Sequence, residues 1–349
     1  MTVIKRLLST ASAITLCTSL LLTAPAYANY AANNESAPEA SVVCEDTSQR
    51  TAFSKHFLLD DGSYVAVSYP EAVHIKTDDG WEEIDNSLSA DKNGTITNKN
   101  PAFPVAFNNT VSNSVSMGAN DNRISWSLKA ETKMSSVNAD ISRGITGNVI
   151  KHTADEVAAA GSILYENIFS GTQNVSVRYT VMHNKVEEDI LLAEPGNITA
   201  FSMDVYAPGM TAIVNNDNTV TICNSSEVLY RISAPYMCDA ADAVLNDFNV
   251  TVAYTADGFK ITYNPADGWL NDSARVYPVL FDPAITTSEY KSGMIDTYVM
   301  EGNTAAHNSE QKLYAGIKNG KLCRTYLKFT SLPAIPDNMP ITGAKLFVL

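Results

Sequence analysis

The chain has 349 residues, of which 45% are hydrophobic and 18% charged, with a formal net charge of −14. That apolar share is enough for a buried core and excludes wholesale disorder, and the length allows one large domain or two ordinary ones. A pI near 4.7 and the lack of any basic run after residue 6 argue against a protein that coats nucleic acid or an anionic membrane through clustered Lys and Arg.

The first segment predicts export. Lys5 and Arg6 make a positive start, Leu7 to Thr23 is apolar and uncharged, and Ala26-Tyr27-Ala28 is a small-x-small cleavage motif. A signal peptide is therefore expected over 1–28, since the apolar stretch is short for a membrane span and no charged stop follows it. Leu16 is too bulky for the position before a lipoprotein cysteine, so Cys17 is not expected to be lipidated. Cleavage would remove two positive charges and leave the mature chain at −16. No second long apolar run follows, so no integral membrane segment is expected after cleavage.

Residues 29–50 are small, polar and aperiodic, and are expected to form a flexible leader. From 51 to about 285 the texture is that of a large β domain. Ile124, Trp126 and Leu128 alternate with Ser125, Ser127 and Lys129; Val175, Val177, Tyr179 and Val181 alternate with Ser176, Arg178 and Thr180; Phe259, Ile261 and Tyr263 repeat the pattern. Period two with one polar side marks half-buried antiparallel strands. Asp61-Gly62, Asp79-Gly80, Asn93-Gly94, Asp257-Gly258 and Asn319-Gly320 supply tight turns between such runs. Thr153-Ala154-Asp155-Glu156, followed by Val157, three alanines and Gly161, has the form of a capping box and predicts a two-turn connecting helix.

The run Tyr277 to Pro283 predicts a closing strand ended by proline, and Thr286-Thr287-Ser288 a polar joint. Residues 286–349 then hold about four strands, where a β-sandwich module needs roughly seven or eight, so the sequence is expected to stop inside a domain. The fold class expected is mainly β: an antiparallel β-sandwich-like large domain followed by a partial, jelly-roll-like β-sandwich.

After signal removal Cys44, Cys223, Cys238 and Cys323 remain. Cys223 and Cys238 flank an apparent hairpin and are the candidate disulfide pair; free buried thiols acting as small hydrophobes are the preferred reading. No CxxC or Cys/His cluster is present, so neither a metal site nor a cofactor is expected.

Candidate chemistry is sparse. Glu82, Glu83 and Asp85, and Glu187, Glu188 and Asp189, are acidic clusters, and paired carboxylates can hydrolyse glycosides when held at the proper separation. Solvated acidic faces are the simpler reading, and no catalytic residue is assigned. His56, His74, His152, His183 and His307 are scattered, and no HExxH or GxSxG motif occurs. Asn215-Asn216-Asp217-Asn218 lacks the spacing of a calcium loop and is expected to be a polar hairpin loop. Trp126 is expected in the core, and Trp81 and Trp269 as hydrophobic anchors. On the strand after Leu322, Arg324, Tyr326 and Lys328 share one face, and Cys323, Thr325, Leu327 and Phe329 the other. Two cations around an aromatic suit stacking on a sugar ring and pairing with uronate carboxylates, so these three are the candidate ligand-binding residues.

Asp296-Thr297-Tyr298-Val299, Leu313-Tyr314-Ala315-Gly316, Arg324 to Phe329 and Ile341 to Leu346 resemble, in order and spacing, the start of a DNRLRE-type module, a β-sandwich treated as carbohydrate-binding. The motif that names the module is not in this sequence. The preceding region, through Tyr69 to His74, Trp81 to Leu88, Ile124 to Lys129, Tyr165 to Phe169, Arg178 to Val181, Glu187 to Leu191, Ala234 to Met237, Trp269 to Asp272 and Tyr277 to Val279, resembles the segment before such modules in large bacterial wall-associated proteins. Those often continue into RHS/YD repeats and a C-terminal toxin. The resemblance implies export and surface display. The expectation is thus a secreted or cell-surface, non-enzymatic protein without cofactor, with polysaccharide or cell-wall glycan rather than nucleic acid as partner. The alternative is the export or accessory region of a longer RHS-type toxin or enzyme whose active domain lies beyond residue 349.

Overall fold

The computed structural model describes residues 2–5, 40–108, 115–140, 161–182, 184–287, 293–308, 312–335 and 339–346. The expected helix after Thr153 and most of the expected signal peptide lie outside them. The described chain is mainly β, in antiparallel sheets, as the alternation predicts. It divides into two units.

The larger unit, residues 85–290, is a sandwich of two sheets. One sheet runs Phe248–Thr255, Gly258–Pro265, Ile198–Tyr206, Ile124–Thr132, Val115–Met117, Val105–Phe107, Ile96–Asn100 and Asp85–Ala90, with Ser136–Asn138 beside Ile124–Thr132. In the other, Ser162–Tyr165, Val175–Val181 and Lys185–Leu192 lead to one long line formed by Val279–Asp282 and Ala284–Thr287. Beyond that line lie Val228–Ile232 at one end and Tyr236–Asp239 at the other. Pro283 therefore interrupts the strand and does not end it. It donates no N–H, and Ser233 bridges the gap: its N–H donates to the Ala284 carbonyl and its Oγ accepts the Ala284 N–H, both at 2.9 Å.

The apolar halves of the alternating strands meet between the sheets. Ile124, Trp126, Val175, Val177 and Ile261 are fully buried, and Tyr179, Phe259 and Tyr263 nearly so. Phe201 stacks on Phe281 with centroids 5.2 Å apart, and Phe107 meets Tyr179 at 5.6 Å. Each pair joins one sheet to the other. At the open side the Tyr254 hydroxyl donates to the Ala212 carbonyl at 2.8 Å and accepts the Ala212 N–H at 3.2 Å. This ties the edge strand Phe248–Thr255 to the edge strand Thr211–Val214.

The smaller unit joins the described residues of 2–5 and 40–84 to those of 293–346. Residues 51–84, expected as the start of the large domain, belong with the C-terminal segment. The cause is visible in the backbone. Gly293 N–H donates to the Pro70 carbonyl at 2.8 Å, Thr330 N–H donates to Gly293 at 2.8 Å, and Ser68 Oγ donates to the Ser331 carbonyl at 2.8 Å. A Cβ at Gly293 would collide with the Tyr69 carbonyl oxygen and the Phe53 ring, so the approach requires glycine. This unit holds the sheet Val42–Glu45, Ser54–Leu59, Tyr64–Ser68, the hairpin His74–Thr77 with Gly80–Glu83, and the sheet Met294–Met300, Lys321–Phe329, Lys312–Lys318, against which Thr2–Lys5 pairs. The hairpin Asn319-Gly320 turns with positive φ at both residues, 52° and 77°, as its sequence predicts.

Of the leader expected over 29–50, residues 29–39 lie outside the described residues, and the remainder is structured. Val42–Glu45 is a strand, Asp46 caps the turn Thr47–Gln49, and Arg50 grips Glu45 at 2.7 and 2.8 Å. Four residues of strand flanked by polar side chains are too short to show a period.

Candidate functional site

The strand Lys321–Phe329 places its side chains as expected. Arg324, Tyr326 and Lys328 are exposed, whereas Cys323 is 2% exposed and Thr325, Leu327 and Phe329 are partly covered. The strand is held from behind. Tyr298, 2% exposed, stacks on His307 at 4.1 Å and meets Tyr314 edge-on at 5.2 Å, and the Lys318 ammonium lies 3.3 Å from the Tyr314 ring centroid. Thr325 Oγ1 donates to the Tyr314 carbonyl at 2.9 Å. On the outer face the register sets Val299 opposite Arg324, Thr297 opposite Tyr326 and Ile295 opposite Lys328. Ile295 and Val299 are 54% and 48% exposed. The face is thus a mixed one: an aromatic between cations roughly 13 Å apart along the strand at ~3.3 Å per residue, with an aliphatic side chain beside each cation. Such a surface can stack a ring and pair with anionic groups on either side.

The acidic clusters are used within the fold. Glu83 pairs with Lys55, Glu82 accepts the Thr77 hydroxyl at 3.3 Å, and Asp85 accepts the Ser87 N–H at 2.8 Å. Glu187 pairs with Lys185 and Asp189 with Arg178 at 2.6 Å, while Glu188 alone of the second cluster turns into the core and accepts the Tyr179 hydroxyl at 2.5 Å. None of these is arranged as a pair of carboxylates across a cleft. Asp217 accepts the Thr219 N–H and hydroxyl at 3.1 and 2.7 Å, so the 215–218 loop spends its oxygens on its own turn. A cleft of about 290 Å³ is lined by Asp247, Asn249, Asn264, Pro265, Ala266 and Asp267. No group of three or more His, Cys, Asp or Glu could hold a metal among the described residues. His74 is buried, its Nδ1 lies 2.7 Å from the Thr51 carbonyl, and burial holds its pKa below the ordinary value. His152 and His183 lie outside the described residues. Trp126 is a core residue, and Trp269 is covered by the Arg275 guanidinium at 3.6 Å.

The candidate pair is not formed: Cys44, Cys223, Cys238 and Cys323 are in no disulfide. Cys223 sits opposite Val228, near where Tyr230 faces Thr287, whereas Cys238 faces Leu280 further down the same line. Seven residues of extended chain between those partners span more than ~20 Å, far beyond the Cα separation of about 4.4–6.8 Å that a disulfide allows.

One polar site was not legible beforehand. Asp239 Oδ1 accepts the N–H groups of Ala241 and Ala243, each at 2.9 Å, and Oδ2 accepts Arg275 Nη1 at 2.8 Å and Val276 N–H at 3.1 Å. Burial works to raise its pKa, but these donors outweigh it and hold the carboxyl below the ordinary value. This network fixes the loop before the strand Val279–Asp282. It is structural in character.

Fold and site together define an antiparallel β-sandwich protein with a cationic–aromatic sheet face. No family model matches the chain. Over 330 residues it is 25% identical to the tRNA(Glu)-specific nuclease WapA of Bacillus subtilis subsp. natto. It is 24% identical to the tRNA nuclease WapA of Bacillus subtilis (strain 168) and to the tRNA3(Ser)-specific nuclease WapA of Bacillus spizizenii. Each alignment covers 86% of this chain and 13% of the relative, so the chain spans about an eighth of the length of the curated relatives it matches. The expectation of a non-enzymatic protein is corrected by these matches, because all three relatives are named as nucleases, which are enzymes. They also act, by name, on tRNA, which removes the support for leaving nucleic acid out of account. No helix among the described residues is long and apolar enough to cross a membrane.

Proposed function

We propose that the chain is part of a secreted nuclease toxin of RHS type, in which it forms the export and accessory region of a longer polypeptide that acts on tRNA. The observation that carries this reading is the similarity to three tRNA nucleases over 86% of the chain. The relatives named for different tRNAs match it almost equally, at 25% and 24% identity. This is what is expected if tRNA choice is set outside the shared stretch. The net charge of −14 agrees, because an acidic surface repels a phosphate backbone. The signal-like start supports export, with the mature chain beginning near residue 29.

The test is a deletion. Removing this region from the complete polypeptide is expected to abolish its recovery from the culture medium while tRNA cleavage by the purified remainder is unchanged. Loss of cleavage together with the region would overturn the assignment, as would a complete reading frame whose product does not cleave tRNA.

A second reading concerns the outer face of Lys321–Phe329, and the exposure of Arg324, Tyr326 and Lys328 in one row favours it. In this reading a DNRLRE-like module holds an anionic wall polysaccharide there. Each exposed ion pair contributes about 0.2–1 kcal/mol, so Arg324→Ala with Lys328→Ala is expected to weaken retention on acidic polysaccharide by roughly twofold to thirtyfold. Equal retention of the variant and the parent protein, or no retention of either, would remove this reading.

A further inference from the structure

Of the buried acids of the larger unit, three pair with a cation, and Asp282 accepts the Tyr236 hydroxyl at 2.9 Å. Glu187 has Lys185, Asp189 has Arg178, and Asp239 has Arg275 and three backbone N–H groups. Glu188 is fully buried between Val186 and Ile190 on the inward face of Lys185–Leu192. Its Oε1 accepts the Tyr179 hydroxyl at 2.5 Å, while its Oε2 has no hydrogen-bond partner, and no cation pairs with it among the described residues. Aromatic rings surround it. Tyr165 meets Tyr179 edge-on at 6.2 Å and its own buried hydroxyl has no partner; the Trp126 indole lies beside the Glu188–Tyr179 pair. From Gly258–Pro265 comes Tyr263, whose hydroxyl is bonded to the Met203 sulfur at 3.5 Å. The acidic groups that act on Glu188 are Asp282, from the neighbouring strand, and Asp189, from its own strand but on the opposite face, where it pairs with Arg178.

An ionised carboxylate in that setting would leave one oxygen unsolvated, with Asp282 nearby and no cation paired to it among the described residues. We propose that Glu188 is a proton-linked latch in the sandwich: the folded unit holds it as the neutral acid, and ionising it loosens the strand Lys185–Leu192 from the facing sheet. Burial, above all, lifts this carboxyl to about 8; the Tyr179 hydroxyl and Trp126 act in the other direction, and Asp282 and Asp189 add to the lift. The sign follows by linkage. Below about 4.5 both folded and unfolded chains carry the proton, and there is no penalty. Between about 4.5 and about 8 the unfolded chain releases a proton that the folded chain retains, so the folding constant falls by up to about tenfold per pH unit. Above about 8 the folded chain ionises too, and the loss levels off.

The experiment is urea unfolding of the full chain at pH 5, 7 and 9, followed by tryptophan fluorescence, for the parent protein and Glu188→Gln. Titration elsewhere, His74 included, is common to both and drops out of the difference. Between pH 5 and 9 the parent is expected to lose up to about a thousandfold more of its folding constant than the variant. Parallel profiles would overturn the proposal. If Glu188→Gln does not fold, infrared spectra of the parent protein decide instead. The carbonyl band of an undissociated carboxyl is expected at pH 7 and should vanish by pH 9. Its absence at pH 7 would equally overturn the proposal.

Discussion

Phe281→Ala is expected to lower the stability of the larger unit by about 4–6 kcal/mol. Phe281 is fully buried on Val279–Asp282 and reaches into the facing sheet, where it stacks on Phe201 at 5.2 Å and Phe248 at 5.8 Å and takes Tyr263 edge-on at 5.5 Å. Phe169 extends the cluster through Phe201 at 6.3 Å. Truncating a buried phenylalanine costs about 3–5 kcal/mol in lost transfer energy and cavity formation. Each aromatic pair adds about 0.5–1.5 kcal/mol, and part of that is already counted in the truncation. For a unit of this size such a loss lowers the melting temperature by roughly 10–20 °C. Phe281→Leu, which keeps most of the volume, is the control and should cost about 1.5 kcal/mol or less. Calorimetry of both variants reads the difference, and a loss below about 1 kcal/mol for the alanine variant would show that this ring is not what joins the sheets.

The second large effect is expected at Asp239. Its side chain is 1% exposed and that of Arg275 8%, so Asp239→Ala leaves a buried guanidinium without its anion and three backbone N–H groups without an acceptor. Breaking a buried pair from one side costs about 3–5 kcal/mol. Arg275 also stacks on Trp269 and donates from Nε to the Trp269 carbonyl at 3.2 Å, so Trp269 fluorescence should report the same loss. Because the folded pKa lies below the ordinary value, the stability that Asp239 contributes is present above about pH 4 and is lost as pH falls through the folded value. The acid limb of the stability profile should therefore be shallower in Asp239→Ala than in the parent protein. An unchanged acid limb would mean that some other carboxyl governs it.

Much of the sandwich is legible because most of its strands have one wet side. The inward residues of Val175–Val181 and Ile124–Thr132 stand out against serine, threonine, lysine and arginine, and the Asp-Gly and Asn-Gly pairs mark where the chain reverses. The central strand Lys185–Leu192 has no such contrast. It is buried on nearly every residue, and its charges suggest an exposed acidic patch until Lys185 and Arg178 are seen to neutralise Glu187 and Asp189. The Asp239 network is equally silent, since Arg275 is 36 residues away and nothing local connects the two. The separation of Cys223 from Cys238 is hidden for a related reason: the hairpin after Cys223 closes at Val228–Ile232, and the chain then runs on to Cys238 along the same line. On the candidate face, alternation placed Arg324, Tyr326 and Lys328 correctly on one side, but Ile295 and Val299 join them only through strand register, which no single segment encodes.

The smaller unit is written in two pieces of sequence with the whole sandwich between them, and this orders events in time. As the chain emerges, residues 42–83 can form their hairpins, yet the hydrogen bonds from Gly293 to Pro70 and from Ser68 to Ser331 wait until some two hundred further residues have been made. Closing so long a loop in an unfolded chain costs several kcal/mol of entropy. A sandwich that has already folded absorbs most of that slack, so the continuous unit is expected to fold first and the divided one to be sealed last. Until then the early hairpins offer unpaired strand edges to any neighbouring chain. A polypeptide threaded through an export channel from its N-terminus would meet this hazard on the far side of the membrane, where the order of arrival, and not the final stability, decides which edges find their proper partners.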